Sequence, residues 1–573
     1  MKYIVSLLLT FNLFMTTFAN NTTTINLRLI ETTDVHGNFF PFNFINNRPW
    51  KGSLAQVATY VNQQRKILGD ENIILLDNGD ILQGQPTVYY YNFLDTTSTH
   101  IAARMMNFMK YDAATVGNHD IETGHAVYDR WVAQCNFPML GANAVKTSSN
   151  SPYFKPYTII TRHGVKIAVL GLTTPAIPAW LPENLWQGMR FDDMVETARK
   201  WIPIIQETEK PHLIVGLFHA GSSGSSTSGY DENASAKVAN QVPGFDIIFM
   251  GHDHRNTLET ITNIAGEKTI IINPANNANA VAVADVKIDM VDGLITNKVI
   301  TPSIQSVKDF EPDVAFSTTF APAQETIKQF VTQVIGQCDT TITTRDAYFG
   351  PSAFIDFIHQ MQLTISNADI SLAAPLSFDA TINQGNITMA DMFNLYKFEN
   401  MLYAMSLTGQ EIKGHLELSY ENWINTLSSP DGHLLKLKTT DNGQLRLANP
   451  AYNFDSAAGI IYTVDVTKPY GQRITILSLA NGEKFNLDKT YKVAVNSYRG
   501  NGGGNLLTDG AGIPANQLAS RIIWATDIDL RYHMMQQIKQ AGTISPRPLN
   551  HWRFIPEEIT APAITRDYKT LFP

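Results

Sequence analysis

Cysteine is nearly absent from this chain. Cys135 and Cys338 are the only two among 573 residues, and no CxxC pair occurs. That excludes a disulfide framework, a thiolate zinc cluster and a dithiol redox motif, and it predicts two free, buried thiols. Positive charge is also scarce: 43 Lys and Arg stand against 52 Asp and Glu, a formal net charge of −9. A polymeric nucleic acid or an anionic membrane would be repelled, whereas a small anion remains open to a site with bound cations. Long apolar runs are missing beyond the N-terminus. There Lys2 precedes an apolar stretch over residues 4–14, with Thr17 and Ala19 at the small-residue positions of a cleavage site. This order predicts a signal peptide over residues 1–19 and an exported chain, periplasmic or secreted, without a membrane span. No cysteine stands near the cleavage site to carry a lipid.

What is present is ample apolar material, 44% of residues, in a chain longer than one core usually supports. From residue 25 to 299 short apolar runs alternate with amphipathic stretches. INLRLI alternates as a half-buried strand should, whereas NIILLD, VKIAVLGL, PHLIVGLF and FDIIFMG are nearly continuous apolar runs suited to strands buried on both faces. SLAQVATYVNQQRKIL reads as a helix between two of them, which gives a layered α/β domain over residues 20–315. Ile327, Phe330, Val331 and Ile335 recur at helical spacing and predict a linker helix over 316–339. A second, smaller α/β domain is expected over 340–546, with a tail over 547–573 lying on the surface.

Five segments each follow an apolar run and end in hard or borderline metal ligands: TTDVHGN (Asp34, His36), LLDNGDILQG (Asp77, Asp80), TVGNHDIETG (Asn118, His119, Asp120), VGLFHAG (His219) and FMGHDHRN (His252, Asp253, His254). One such segment would be turn chemistry, since Asp, Asn and Gly favour turns on their own account. Five of them, each at the end of an apolar run, hold more donors than one ion can use. They point to two divalent ions, with Mn, Zn, Fe and Co all suited to His, Asp and Asn. His125, His163 and His212 lack such partners and read as ordinary residues.

This set, in this order, resembles the calcineurin-like metallophosphoesterases, whose pattern is D-x-H, G-D, G-N-H-(D/E), H and G-H-x-H. The resemblance implies a four-layer α/β/β/α domain. It implies one metal held by Asp34, His36 and His254, a second by Asn118, His219 and His252, and Asp80 between them. His119 becomes the residue that meets the substrate phosphate, oriented by Asp120. Asp77 is expected to be structural and Asp253 to support a ligand from behind.

The second half resembles the C-terminal domain of the secreted 5′-nucleotidases, which places Phe398 in YKFENML and Tyr498 in NSYRGNGGG as the two rings that sandwich a base. Where 5′-nucleotidases carry G-G-x-R this chain reads AAPLSFDATI, which looks like the branch acting on 2′,3′-cyclic nucleotides and 3′-nucleotides. The missing Arg removes a bidentate phosphate partner, and Arg499 is the candidate replacement. The expectation is an exported phosphoesterase with a small nucleotide as substrate. The alternatives are a 5′-nucleotidase or nucleotide-sugar or diphosphate hydrolase, a relative acting on a sulfur oxyanion, and a non-catalytic nucleotide-binding surface protein.

Overall fold

The computed structural model describes residues 22–573 apart from 225, 228, 293, 441, 442 and 527. The signal peptide expected over residues 1–19 lies outside the described residues.

The first half builds two six-stranded sheets face to face. One runs in the order Leu294–Ser306, Ala280–Val291, Thr22–Thr32, Ile73–Asp77, Ala113–Thr115, Met139–Leu140. The other runs Asn256–Thr262, Lys268–Pro274, Ile247–Met250, Leu213–His219, Val165–Thr173, Tyr157–Arg162. The continuous apolar runs explain this stacking. Leu27, Leu29, Ile74 and Leu76 from one sheet pack with Val169, Leu213, Leu217 and Phe249 from the other, all buried. The opposite faces are covered by helices, Leu54–Leu68 and Ile101–Met109 on the first sheet and Met194–Thr208 and Ser235–Gln241 on the second. The result is four layers, α/β/β/α.

The helix expected over 316–339 runs from Val314 to Val331. Val334–Cys338 is instead a strand, paired antiparallel with Gly385–Thr388, so the helical spacing of Ile335 is incidental. Phe316, Phe320, Ile327 and Val331 bury into the first core, so the helix closes that domain as well as leading out of it. Beyond it a five-stranded sheet is ordered Ser456–Ala458, Ile370–Ala373, Thr490–Asn496, Leu402–Thr408, Ile522–Ala525.

The expected surface tail is instead part of the second core. Trp552–Ile555 is a strand parallel to Ile460–Asp465, and the helix Glu557–Leu571 packs behind it. Trp552 stacks on Tyr462 at 5.7 Å between ring centres and meets Tyr420 edge-on at 5.5 Å. The aromatic composition of this segment reflects burial. The two thiols are free, but only Cys338 is buried; Cys135 is half-buried, and burial pushes its thiol up to about 12.

Trp552→Ala should cost the second domain about 3–5 kcal/mol, the usual range for a buried Trp cut to Ala. Denaturant unfolding followed by intrinsic fluorescence should show one transition moved to lower denaturant, with metal binding by the first domain retained.

A candidate dinuclear metal centre

Thr22–Thr32, Ile73–Asp77 and Ala113–Thr115 are neighbours running parallel in one sheet, and Leu213–His219 and Ile247–Met250 are parallel neighbours in the other. Adjacent parallel strands end on the same side, so five loops open onto one edge of the sandwich. Side chains lock the two sheets together there. Asn78 Nδ2 donates to Phe218 O at 2.8 Å, and Thr115 Oγ1 to Leu217 O at 3.1 Å.

Three of the five loops turn sharply. Asp34, His36, Asp80, His252 and His254 all have φ between 49° and 75°, the left-handed region that side chains rarely adopt. Such strain persists where the surroundings over-determine it, and it concentrates at functional sites. The turns also leave no room for a Cβ at two motif glycines. At Gly117 it would lie 2.1 Å from Asp80 Oδ1, and at Gly251 2.1 Å from Thr33 Oγ1.

The donor atoms converge in two groups, Asp34–His36–His254 and Asp80–His219–His252. In the first, His254 Nε2 lies 3.2 Å from Asp34 Oδ1 and 3.0 Å from His36 Nε2. In the second, His219 Nε2 lies 3.1 Å from Asp80 Oδ2 and 3.2 Å from Asn118 Oδ1. Tautomers follow from the other ring nitrogen. His219 Nδ1 donates to Asn78 O at 2.6 Å and His36 Nδ1 to Gln83 O at 3.2 Å, which leaves each Nε2 a lone pair. Burial, with the His254 charge, holds His36 down to about 4, so it is neutral and ready to bind a cation. Asp34 Oδ1 is buried without a hydrogen-bond donor. Lone pairs facing lone pairs in a buried pocket fit divalent cations, and the His, Asp and Asn donors suit transition metals.

Three expected roles change. Asp120 does not touch His119; its carboxylate accepts from the backbone N–H groups of Gly117, Asp80, Ile81 and Leu82 at 2.8–3.0 Å. It fixes the Asp80 loop, and Glu122, one helical turn past His119, takes His119 Nδ1 instead. Burial disfavours the charged imidazole, but Asp80 and Glu122 outweigh it and raise His119 to about 10. Asp253 bonds Asn273 Nδ2 and Arg255 N, not a ligand. His252 is supported by Glu232, whose Oε1 accepts from its Nε2 at 2.9 Å. The signal for Glu122 lies in the sequence as HDIE, an i,i+3 pair, whereas nothing marks the distant Glu232. Asp77 is structural as expected, bonded to Thr32 Oγ1 at 2.6 Å and Gly79 N at 3.1 Å.

The third change concerns Arg499. It is 3% exposed, and Asp455 takes its Nε and Nη2 at 2.8 Å each. Tyr452 O, Asn453 Oδ1 and Gly503 O take the rest of the fork. No donor is left for a phosphate. Arg499 holds the 452–455 segment against the glycine run, beside Tyr498. Phe398 and Tyr498 each meet Tyr452 edge-to-face, at 6.2 Å and angles of 85° and 88°, so a third ring, unmarked in sequence, joins the pair. Lys397 places its ammonium 5.5 Å over the Phe398 ring. These rings come close to the metal centre. Asn501 Nδ2, three residues after Tyr498, donates to Trp180 O at 3.0 Å, and the Trp180 ring lies 5.5 Å from that of His252.

Asp80→Ala should lose both ions and Glu232→Ala should weaken binding about 10–100-fold, as loss of a carboxylate behind a metal-bound His usually does. Metal analysis and titration with Mn²⁺ measure both. A parent holding a single ion at full occupancy would overturn the two-ion arrangement.

Residues 27–256 match the family model described as calcineurin-like phosphoesterase, and residues 334–509 match 5′-nucleotidase, C-terminal domain. The chain is 26% identical over 93% of its length to the trifunctional nucleotide phosphoesterase protein of Bacillus subtilis, and spans 39% of that longer relative. It is 24% identical to the 2′,3′-cyclic-nucleotide 2′-phosphodiesterase/3′-nucleotidase of Yersinia enterocolitica, over 94% of this chain and 89% of the relative. A solved structure from Staphylococcus aureus superposes with a TM-score of 0.75 at 22% identity, over 92% of this chain and 99% of that one, which shows a shared fold. The chain belongs to the family that joins a calcineurin-like phosphoesterase domain to a 5′-nucleotidase C-terminal domain, and it is a metal-dependent phosphoric ester hydrolase.

Proposed function

We propose that this enzyme is exported and hydrolyses 2′,3′-cyclic nucleotides and 3′-nucleotides to nucleosides and phosphate. Among the described residues no helix is long and apolar enough to cross a membrane, which is consistent with an exported chain that carries no helical anchor there. The observation that carries the substrate reading is the state of the arginines near the base rings. Arg499 pairs with Asp455 and Arg531 with Glu399, and the 374–382 segment holds no arginine, its Asp379 pairing with Arg345. Nothing there forms the bidentate grip that a 5′-nucleotidase would use on its phosphate. The Yersinia relative, matched over most of both chains, supports the same reading.

When bound, the divalent ions of this family supply Lewis acidity and a nucleophilic water at neutral pH. Asp34, His36 and His254 would hold one, and Asn118, His219 and His252 the other, with Asp80 shared. His119 supplies the proton. With Nδ1 held by Glu122, its Nε2 donates to the oxygen leaving phosphorus, O2′ when the cyclic ester opens and O3′ when the 3′-phosphate is removed. Phe398 and Tyr498, with Tyr452 across them, take the base. The 5′-nucleotidase or nucleotide-sugar hydrolase reading loses Arg499 as its phosphate partner, because Asp455 takes that guanidinium. The non-catalytic reading fits poorly with a complete donor set and a buttressed His119.

His119→Ala should cut turnover by about two to four orders of magnitude with metal content unchanged, the usual loss for a general acid. On a panel of 2′,3′-cyclic AMP, 3′-AMP, 5′-AMP, ATP and UDP-glucose, the first two should be turned over best. Phe398→Ala and Tyr498→Ala should each lower kcat/KM on them about ten- to hundredfold, in line with stacking of ~1–3 kcal/mol per base. p-Nitrophenyl phosphate should respond far less. If 5′-AMP is the best substrate the reading fails.

A further inference from the structure

Glu399 follows Phe398 directly and stands where the two domains meet. Its Oε1 accepts from Arg531 Nη1 at 3.1 Å. Arg531 is 1% exposed and also donates to Tyr396 O at 2.8 Å and Lys397 O at 2.7 Å, so one guanidinium fixes the whole turn from 396 to 399. The guanidinium carbon lies 4.2 Å from the Phe393 ring and 5.1 Å from that of Tyr89, a residue of the first domain. Tyr89 ends the helix Pro86–Tyr89, which comes after the Asp80 loop. Glu399 is thereby anchored against the element that leads out of the metal centre. Burial, with the Glu122 charge across the seam, raises the Glu399 carboxyl well above the ordinary range against the pull of Arg531, and its ionised form is felt by His119.

Glu399 is only 7% exposed, yet its second oxygen has no donor among the described residues and is not sealed off. An oxygen so placed is open to a donor from outside, and a ligand that seals it from water must donate to it in turn. Between a base at Phe398 and a phosphate at His119 lies the sugar. In a 2′,3′-cyclic nucleotide O2′ and O3′ are both esterified, so the 5′-hydroxyl is the only O–H the sugar can donate.

We propose that Glu399 Oε2 accepts a hydrogen bond from the 5′-hydroxyl of the substrate, and that the same carboxylate turns away nucleotides bearing a 5′-phosphate. The first half selects by an attraction and the second by repulsion between like charges, the two routes to specificity. This rests on the proposed nucleotide substrate.

The test compares 2′,3′-cyclic AMP with its 5′-deoxy analogue, and 3′-AMP with adenosine 3′,5′-bisphosphate, in the parent and in Glu399→Ala and Glu399→Gln, with bis(p-nitrophenyl) phosphate alongside. In the parent, loss of the 5′-hydroxyl should lower kcat/KM about ten- to hundredfold, as expected for a hydrogen bond to a charged group. In Glu399→Ala that ratio should fall towards one, and in Glu399→Gln the gap between 3′-AMP and the bisphosphate should narrow. A parent ratio near one, or a ratio that survives in Glu399→Ala, overturns the role of Glu399 while nucleotide hydrolysis stands. Activity on the artificial ester with none on any nucleotide removes both. If a variant does not fold, the parent's own ratio still decides.

Discussion

Four backbone N–H groups point at one carboxylate, that of Asp120, and the rest of the site depends on it. They come from Gly117 and from Asp80, Ile81 and Leu82, so two neighbouring strand ends are tied by one buried side chain. The bond from Asp80 N holds the left-handed turn that aims the Asp80 carboxylate at His219. His119, adjacent to Asp120, then donates its own N–H to Asp80 Oδ1 at 2.8 Å. His119 and Asp80, the proposed proton donor and shared ligand, are therefore held by one short chain of hydrogen bonds. The close approach of Gly117 to Asp80 leaves no space for any other residue there.

The same logic is repeated around the centre at greater distance. Backbone carbonyls of Asn78 and Gln83 fix the tautomers of His219 and His36, and Glu232 reaches His252 from a separate loop. A ring of second contacts decides which nitrogen faces inward, and a metal-bound His works only when that is decided.

The second domain answers with a different device. Two of its arginines serve the fold: Arg499 and Arg531 are each buried and paired with a carboxylate, and each organises a loop that presents an aromatic ring. Arg499 fixes Tyr452 and the glycine run beside Tyr498, and Arg531 fixes the turn carrying Phe398. Removing a buried guanidinium's partner would leave an uncompensated charge, which is why such pairs specify a loop so firmly.

The convergence of the donor side chains was legible in the chain, because hard donors at the ends of successive apolar runs are brought together by parallel strands. Asp34, His36, Asp80, Asn118, His219, His252 and His254 all converge as their motifs suggested. The stacked pair of sheets was legible for the same reason. The partners were not. Glu122 and Glu232 support His119 and His252, and Tyr452 joins the aromatic pair, yet only Glu122 carries a local spacing that could have marked it. Arg499 departs from its expected role because a charge next to an aromatic ring looks alike in sequence whether it faces a ligand or Asp455, 44 residues away. Likewise the C-terminal aromatics gave no sign that Trp552 would pair with a strand 90 residues earlier. Sequence alone determined which atoms can bind a metal, since that follows from residue type and strand period. Tertiary structure decided what each charged or aromatic side chain touches, since burial and pairing are settled by segments far apart in the chain.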